Sequence, residues 1–416
     1  MAKNILVIGG GITGITTAVE AAETGYNVIL IEKKPYLGGN VVMMNKYFPK
    51  LCPPYCGMEI NLRRIKTNNR IKCFTMTEIE RISKLNGNEY EVTLRINPRF
   101  VTERCTVCGE CVNACPSERP DEFNFNMNTT KAVYLPHSLA FPYRYVIDEK
   151  ACQKCRACID TCKYEAINLE MVVRHEQIKV GAIVITTGWQ LYDAAKLDNL
   201  GFGKYKNVIT NMMMERLSAQ EGPTNGKILR LSDKKEPRSI AFVQCAGSRD
   251  ENHLPYCSAV CCLASLKQIT YVRDTLPECE VFMFYIDIRA FGKYEDFYMN
   301  VAKDNKVSFI KGKVADISED NNTGELIVEA EDILSGNKIK KNVDMVVLAC
   351  GMQPVLKEID IPLEIDKDDN GFVVAKQHIS GIYAAGVAKK PAEVVTCVED
   401  ATGAALKAIQ NVEQQV

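Results

Sequence analysis

Runs of cysteine define the chemistry open to this chain. Cys105-x2-Cys108-x2-Cys111-x3-Cys115-Pro116 is repeated as Cys152-x2-Cys155-x2-Cys158-x3-Cys162, an internal duplication at ferredoxin spacing. In that pattern three thiolates wrap one 4Fe-4S cubane, and the fourth, a turn later, reaches the neighbouring cubane. The spacing assigns Cys105, Cys108, Cys111 and Cys162 to one cluster and Cys152, Cys155, Cys158 and Cys115 to a second. Zinc competes for paired C-x2-C motifs, but it takes four ligands and leaves half of these thiols in unexplained register. Lys163 stands where a proline usually follows the last cysteine, which removes a rigid turn and adds positive charge beside that centre.

A third group, Cys245, Cys257, Cys261 and Cys262, lies between an apolar strand over 240–243 and a helix beginning near Ala259. Strand, turn and helix outline a nucleotide site. The glycines that would expose backbone amides to a phosphate are missing, and soft thiolates, which suit zinc or an iron-sulfur cluster, replace them. We read this as a nicotinamide pocket turned into a third cluster site, with buried structural thiols as the bland alternative. Cys52 and Cys56 flank the Pro53-Pro54 bend. They are ligands for that third site, a thiol pair beside a cofactor, or structural residues. Cys73, Cys279, Cys350 and Cys397 stand alone and read as packing.

A phosphate cradle does stand at the amino-terminal end. Apolar residues 5–8 lead into Gly9-Gly10-Gly11-Ile12-Thr13-Gly14, a helical pattern to Thr24, a second strand over 27–31, and Glu32. Gly9 allows the tight turn, Gly11 lets a pyrophosphate approach, and Gly14 lets helix meet strand; Glu32 accepts from ribose hydroxyls. The amides of Ile12 and Thr13 face the phosphates, where the helix dipole adds roughly 0.3–1 kcal/mol.

The segment from Glu32 through Lys33, Gly38 and Gly39 to Asn40 resembles the E-(x)n-L-G-G element of the two-dinucleotide-domain flavoproteins. The strand ending Thr186-Thr187-Gly188 resembles their return strand, and Gly381-Ile382-Tyr383-Ala384-Ala385-Gly386 resembles their carboxy-terminal motif. The resemblance implies FAD, contacted by Lys33, Gly38, Gly39, Asn40, Thr187, Gly188, Gly386 and Val387. Val387 departs from the pattern, replacing the acid that usually follows the last glycine, so the ribityl and phosphate contacts must differ.

With 51 basic and 52 acidic side chains, nothing in the charge balance favours nucleic acid or a membrane surface. Eighteen cysteines in metal-type runs point to a reducing cytoplasm. The chain opens MAKNILVIGG without a charged leader, and its most apolar windows are strand-length, short of the ~18–20 residues of a membrane span. Any membrane attachment is therefore expected through a partner.

These elements predict an α/β, two-dinucleotide-binding-domain flavoprotein of the thioredoxin/glutathione reductase type with an inserted bacterial-type ferredoxin domain. The expected division is a flavin domain over 1–98, 171–235 and 346–416, an insert over 99–170, and a second dinucleotide-like domain over 236–345. Phe291, Tyr294, Phe297 and Tyr298 repeat at helical spacing and read as core; Met212, Met213 and Met214 read as gap-filling, and His137 as structural.

Taken together, the flavin motifs, the insert and the third cysteine group resemble the A subunit of heterodisulfide reductase. Within that group, the chain's shortness and the sequence FPKLCPPYCGMEIN resemble the A subunit of the quinone-interacting membrane-bound oxidoreductase. The resemblance implies an electron-transfer subunit working between menaquinol and adenylylsulfate reductase. Its implied partners are a related flavoprotein/iron-sulfur subunit plus a membrane haem subunit, which would hold it at the inner face of the cytoplasmic membrane. An electron-bifurcating subunit of a soluble complex is the alternative.

Overall fold

The computed structural model describes residues 4–48, 50–85, 89–374 and 381–414. Two parallel five-stranded sheets form its frame. The first runs, in spatial order, Ile382–Ala384, Ala182–Ile185, Asn4–Ile8, Asn27–Glu32 and Ile71–Thr75. Its inner strands Ala182–Ile185, Asn4–Ile8 and Asn27–Glu32 are built on near-continuous apolar runs because both faces are covered. On one face lie the helices Ile12–Glu23, Pro54–Thr67 and Val394–Glu413.

The second sheet is Val208–Thr210, Met345–Cys350, Ser239–Ala246, Glu280–Tyr285 and Val307–Lys311. The helices Asn211–Ser218, Cys261–Thr275 and Tyr294–Ala302 accompany it. Its strands lie on both sides of the boundaries expected at 235/236 and 345/346. The expected division puts Val208–Thr210 and most of Met345–Cys350 in the flavin domain, yet Met345–Cys350 pairs with Ser239–Ala246, Phe242 opposite Val347, and carries Val208–Thr210 on its other edge. The chain crosses between the two sheets on an antiparallel pair, Trp189–Leu191 with Met352–Pro354.

A three-stranded antiparallel sheet, Arg174–Val180, Tyr90–Ile96 and Thr77–Lys84, explains how the insert is tolerated. Arg174 pairs with Ile96, so the insert leaves and returns through adjacent strand ends, and the flavin sheet is not interrupted. Inside the insert a small core of Phe100, Val101, Val133, Tyr145, Ile147 and Ala166 surrounds Cys111 and Cys158.

The helix expected from Ala259 begins at Cys261. Phe291 is not core: it is 72% exposed, whereas Tyr294, Phe297 and Tyr298 pack against the second sheet. Phe291 precedes the helix Tyr294–Ala302, so its helical spacing carries no weight. Among the described residues no helix is long and apolar enough to cross a membrane.

Candidate functional site

The glycine loop opens onto a cavity of about 600 Å³. Gly9, Gly11, Ile12, Thr13, Glu32, Lys33, Gly38, Gly39, Asn40, Thr187, Gly188 and Val387 all line it. Gly14 and Gly386 stand behind the wall and serve packing: a Cβ on Gly14 would overlap the Gly9 carbonyl, and one on Gly386 would overlap Thr13. Gly9 has φ +107°, a turn other residues rarely make.

Observations on the cavity wall fit a dinucleotide such as FAD. A Cβ on Gly11 would meet nothing nearer than Gly39 Cα at 3.9 Å, so its bare backbone faces open space where a pyrophosphate would lie. Thr187 Oγ1 is buried at the wall with no hydrogen-bond partner among the described residues, as expected of a group that a cofactor completes. Glu32 accepts from the Gly10 amide at 2.7 Å and the Lys34 amide at 2.7 Å. Burial holds its carboxyl above the ordinary range, against those two bonds. The acid missing at Val387 has a counterpart in space, because Asp400 accepts from the Gly386 amide at 2.8 Å and pairs with Lys389 at 2.7 Å.

Other wall residues carried no sequence signal. Glu122 and Phe125 reach the cavity from the insert. Val260, Leu263, Ala264 and Lys267 reach it from the helix whose first turn holds Cys261 and Cys262. Lys267 is 3% exposed and pairs with Glu215 at 2.8 Å, itself 2% exposed. Gln268 Nε2 at 2.6 Å, Tyr271 OH at 3.2 Å and the Asn45 amide at 3.0 Å also donate to the Glu215 carboxylate. Met212 lines the cavity, while Met213 and Met214 fill the core beneath.

The insert brings thiols from both cysteine runs together. Cys105, Cys108, Cys111 and Cys162 line one small recess with Val107, Tyr145 and Ile167. Burial, then the neighbouring Cys105 and Cys108, push the Cys111 thiol up to about 12. For Cys158 burial and then Cys152, Cys115 and Cys155 push it up to about 11. Raised values keep these crowded thiols protonated, and a bound cationic cluster core would displace the protons to gain thiolate ligands. The two loops match in backbone. Val107 and Lys154 take φ +57° and +55°, and Gly109 and Arg156 take φ +91° and +67°. Backbone amides already aim at sulfur, Lys154 N to Cys152 Sγ at 3.4 Å and Ala166 N to Cys162 Sγ at 3.4 Å. Among the described residues no three metal-binding side chains close on a single ion, and thiolates spread around a cube stand farther apart than thiolates around one zinc.

Cys245, Cys257, Cys261 and Cys262 converge at the end of the strand Ser239–Ala246. Burial, then Cys262 and Cys245, raise the Cys261 thiol well above its ordinary value. Burial and then Cys262 push Cys245 up to about 11, against Arg249. The adjacent pair diverges, Cys261 Sγ toward the Cys350 carbonyl at 3.8 Å and Cys262 Sγ toward that of Asp287 at 3.7 Å. Three non-glycine residues here, Cys245, Arg249 and Ala259, hold φ between +56° and +62°. Such a cluster of left-handed residues costs energy and marks functional sites. Cys52 is half-buried, just ahead of the helix Pro54–Thr67, and Cys56 is exposed in that helix's first turn. Cys397 is buried at the wall of the flavin cavity, not in the core alone.

His137 is structural in its contacts. It stacks on Phe123 at 4.9 Å and meets Tyr36 edge-on at 4.9 Å. Burial, with Arg216 adding to it, lowers its pKa to about 4.

Known proteins resemble this chain in its flavin and 4Fe-4S segments. The family described as FAD dependent oxidoreductase matches residues 4–99, and 4Fe-4S binding domain families match 98–118 and 149–165. The chain is 38% identical over 98% of its length to an iron-sulfur A subunit of the CoB–CoM heterodisulfide reductase of Methanopyrus kandleri, covering 63% of that relative. It is 35% identical over 97% of its length to the A subunit of the H(2):CoB-CoM heterodisulfide,ferredoxin reductase of Methanothermobacter thermautotrophicus, again covering 63%. The chain thus spans less than two thirds of the relatives it matches. Among solved structures, the thioredoxin reductases of Lactococcus lactis and T. acidophilum superpose with TM-scores of 0.55 and 0.52 at 14% and 16% identity, covering 99% and 98% of this chain and 99% of each neighbour. The fold is that of the thioredoxin-reductase-like FAD oxidoreductases with ferredoxin-type 4Fe-4S segments added, and the chain's relatives along nearly its whole length are A subunits of heterodisulfide reductases.

Proposed function

We propose that this chain is an electron-transfer subunit in which FAD exchanges electrons with three 4Fe-4S clusters, two in the insert and the third at Cys245, Cys257, Cys261 and Cys262. One observation carries the reading: a single cavity is walled by the glycine loop, by Glu122 and Phe125 of the insert, and by Val260, Leu263 and Ala264 beside Cys261. Bound FAD takes electrons in pairs or singly, whereas a cluster carries one at a time. The chain's own part is positional. Gly9, Gly11 and the amides of Ile12 and Thr13 hold the pyrophosphate. Glu32 orients the ribose, and Thr187 and Gly188 contact the cofactor near the crossing strands. Lys267, fixed by Glu215, keeps a positive charge at the wall. Cys52 or Cys56 supplies a further ligand to the third cluster, or the two form a thiol pair beside the flavin.

The finer placement is a quinone-linked complex that exchanges electrons between menaquinol and adenylylsulfate reductase. It includes a related flavoprotein/iron-sulfur subunit plus a membrane haem subunit that holds this chain at the inner face of the cytoplasmic membrane. FPKLCPPYCGMEIN, with its Cys52 and Cys56, supports it. A second reading, an electron-bifurcating subunit of a soluble heterodisulfide-reductase-type complex, is favoured by 33–38% identity to A subunits of heterodisulfide reductases over 97–98% of this chain. Anaerobic purification from native membranes decides between them. The quinone-linked reading expects a haem subunit to travel with this chain, and a menaquinol analogue to reduce added adenylylsulfate reductase through the complex. Release into the soluble fraction with a heterodisulfide-reducing subunit would overturn it in favour of the second.

A further inference from the structure

The two halves of the insert share backbone but not charge. Each repeat brings one cysteine to the surface, Cys108 and Cys155, so each cluster position has an exposed edge. Beside Cys108 the repeat carries Glu103, Val107, Gly109 and Glu110; the equivalent positions beside Cys155 are Lys150, Lys154, Arg156 and Ala157. At these positions both acids are lost, and three cations appear. Lys150, Lys154, Cys155 and Arg156 are all exposed, and none of the three cations joins an ion pair among the described residues. In contrast, Glu103 is neutralised by Arg144 at 2.7 Å and Arg104 by Glu165 at 3.4 Å.

Arg156 is the informative member. At φ +67° it occupies a left-handed position that the first repeat gives to Gly109 at φ +91°. A non-glycine residue there is strained, and Arg156 makes no ion pair with a carboxylate among the described residues. Strain kept for an unpaired surface charge points to a use outside the chain.

We infer that the Lys150–Lys154–Arg156 face around Cys155 docks an acidic one-electron redox protein, and that electrons enter or leave the chain through the cluster of Cys152, Cys155, Cys158 and Cys115. The inference rests on the proposed occupancy of that cluster. In the step itself one electron crosses, the partner's centre is oxidised as the cluster is reduced or the reverse, and no bond forms and no proton moves. Unpaired cations around an exposed redox edge raise the encounter rate with an anionic partner and make that rate salt-dependent.

The test gives the second repeat the residues of the first, Lys154→Val with Arg156→Gly, a pair whose backbone conformation the first repeat already adopts. Anaerobic holoprotein is mixed with a reduced plant-type [2Fe-2S] ferredoxin as an acidic probe. In parallel, dithionite-reduced holoprotein is oxidised by anionic ferricyanide or cationic hexaammineruthenium(III). Relative to the parent, the ferredoxin rate at low ionic strength should fall about tenfold and lose its salt dependence. Ferricyanide oxidation should slow and hexaammineruthenium oxidation quicken, opposite shifts that misfolding cannot produce. Lys150→Glu, outside the cysteine loop, should repeat the pattern. Unchanged rates, or both small probes moving the same way in both variants, would overturn the docking surface while ferredoxin-type EPR signals persist. Parent protein lacking those signals would overturn the cluster reading as well.

Discussion

Lys267 Nζ lies 2.8 Å from Glu215 Oε1, with both side chains nearly withdrawn from solvent. A buried pair is not by itself strongly stabilising, but stripping one partner leaves a buried charge uncompensated, at about 3–5 kcal/mol. Glu215→Ala should therefore lower unfolding free energy by that order in denaturant titration, and Glu215→Leu with Lys267→Met should restore only the ion-pair share, because Gln268, Tyr271 and the Asn45 amide still lose their acceptor. If Glu215→Ala alone is neutral, the ammonium finds solvent and the cavity wall is not as drawn.

The glycines of the loop separate into two kinds. Gly11 faces open space, so Gly11→Ala should leave the apoprotein's melting temperature within about 1 °C yet cut FAD retention at least tenfold, because the second glycine serves backbone approach to the pyrophosphate. Gly14→Ala must overlap the Gly9 carbonyl and should destabilise the apoprotein itself. Calorimetry of apoprotein beside flavin-to-protein ratios distinguishes them; equal melting losses in both variants would erase the distinction.

His137 sets an acid limit on stability. Its folded value of about 4 lies below its ordinary value of 6.5, so the unfolded chain binds a proton first as pH falls. The contribution is absent above about pH 7 and develops between 6.5 and 4, costing on the order of 3 kcal/mol when complete. His137→Phe preserves a ring between Tyr36 and Phe123 and should flatten the fall in stability across that window. An unchanged slope would mean that His137 reaches solvent.

Local patterns were legible in the sequence, and long-range pairings were not. The glycine loop, the strands at its sides and the duplicated cysteine run depend on neighbours in the chain, so spacing reported them. Val208–Thr210 lies far in sequence from its sheet neighbour Met345–Cys350, and a three-residue apolar strand does not declare which sheet it joins. Lys267 and Glu215 each look like a solvated helix face until two helices bring them together. Phe291 failed for the opposite reason: aromatic periodicity marks core only where a helix carries it, and the helix begins at Tyr294. Asp400 was invisible because its contact with Gly386 replaces, from another helix, an acid looked for at the next residue.

The most direct test of the central claim is a joint count of iron and flavin in anaerobically purified protein, with Cys261→Ser beside it. Three cubanes and one flavin predict about twelve irons per FAD, falling to about eight in the variant with both ferredoxin-type EPR signals intact. A stable parent protein with about eight irons per FAD, unchanged by Cys261→Ser, would contradict the third cluster and with it the conversion of the nicotinamide pocket into a sulfur site.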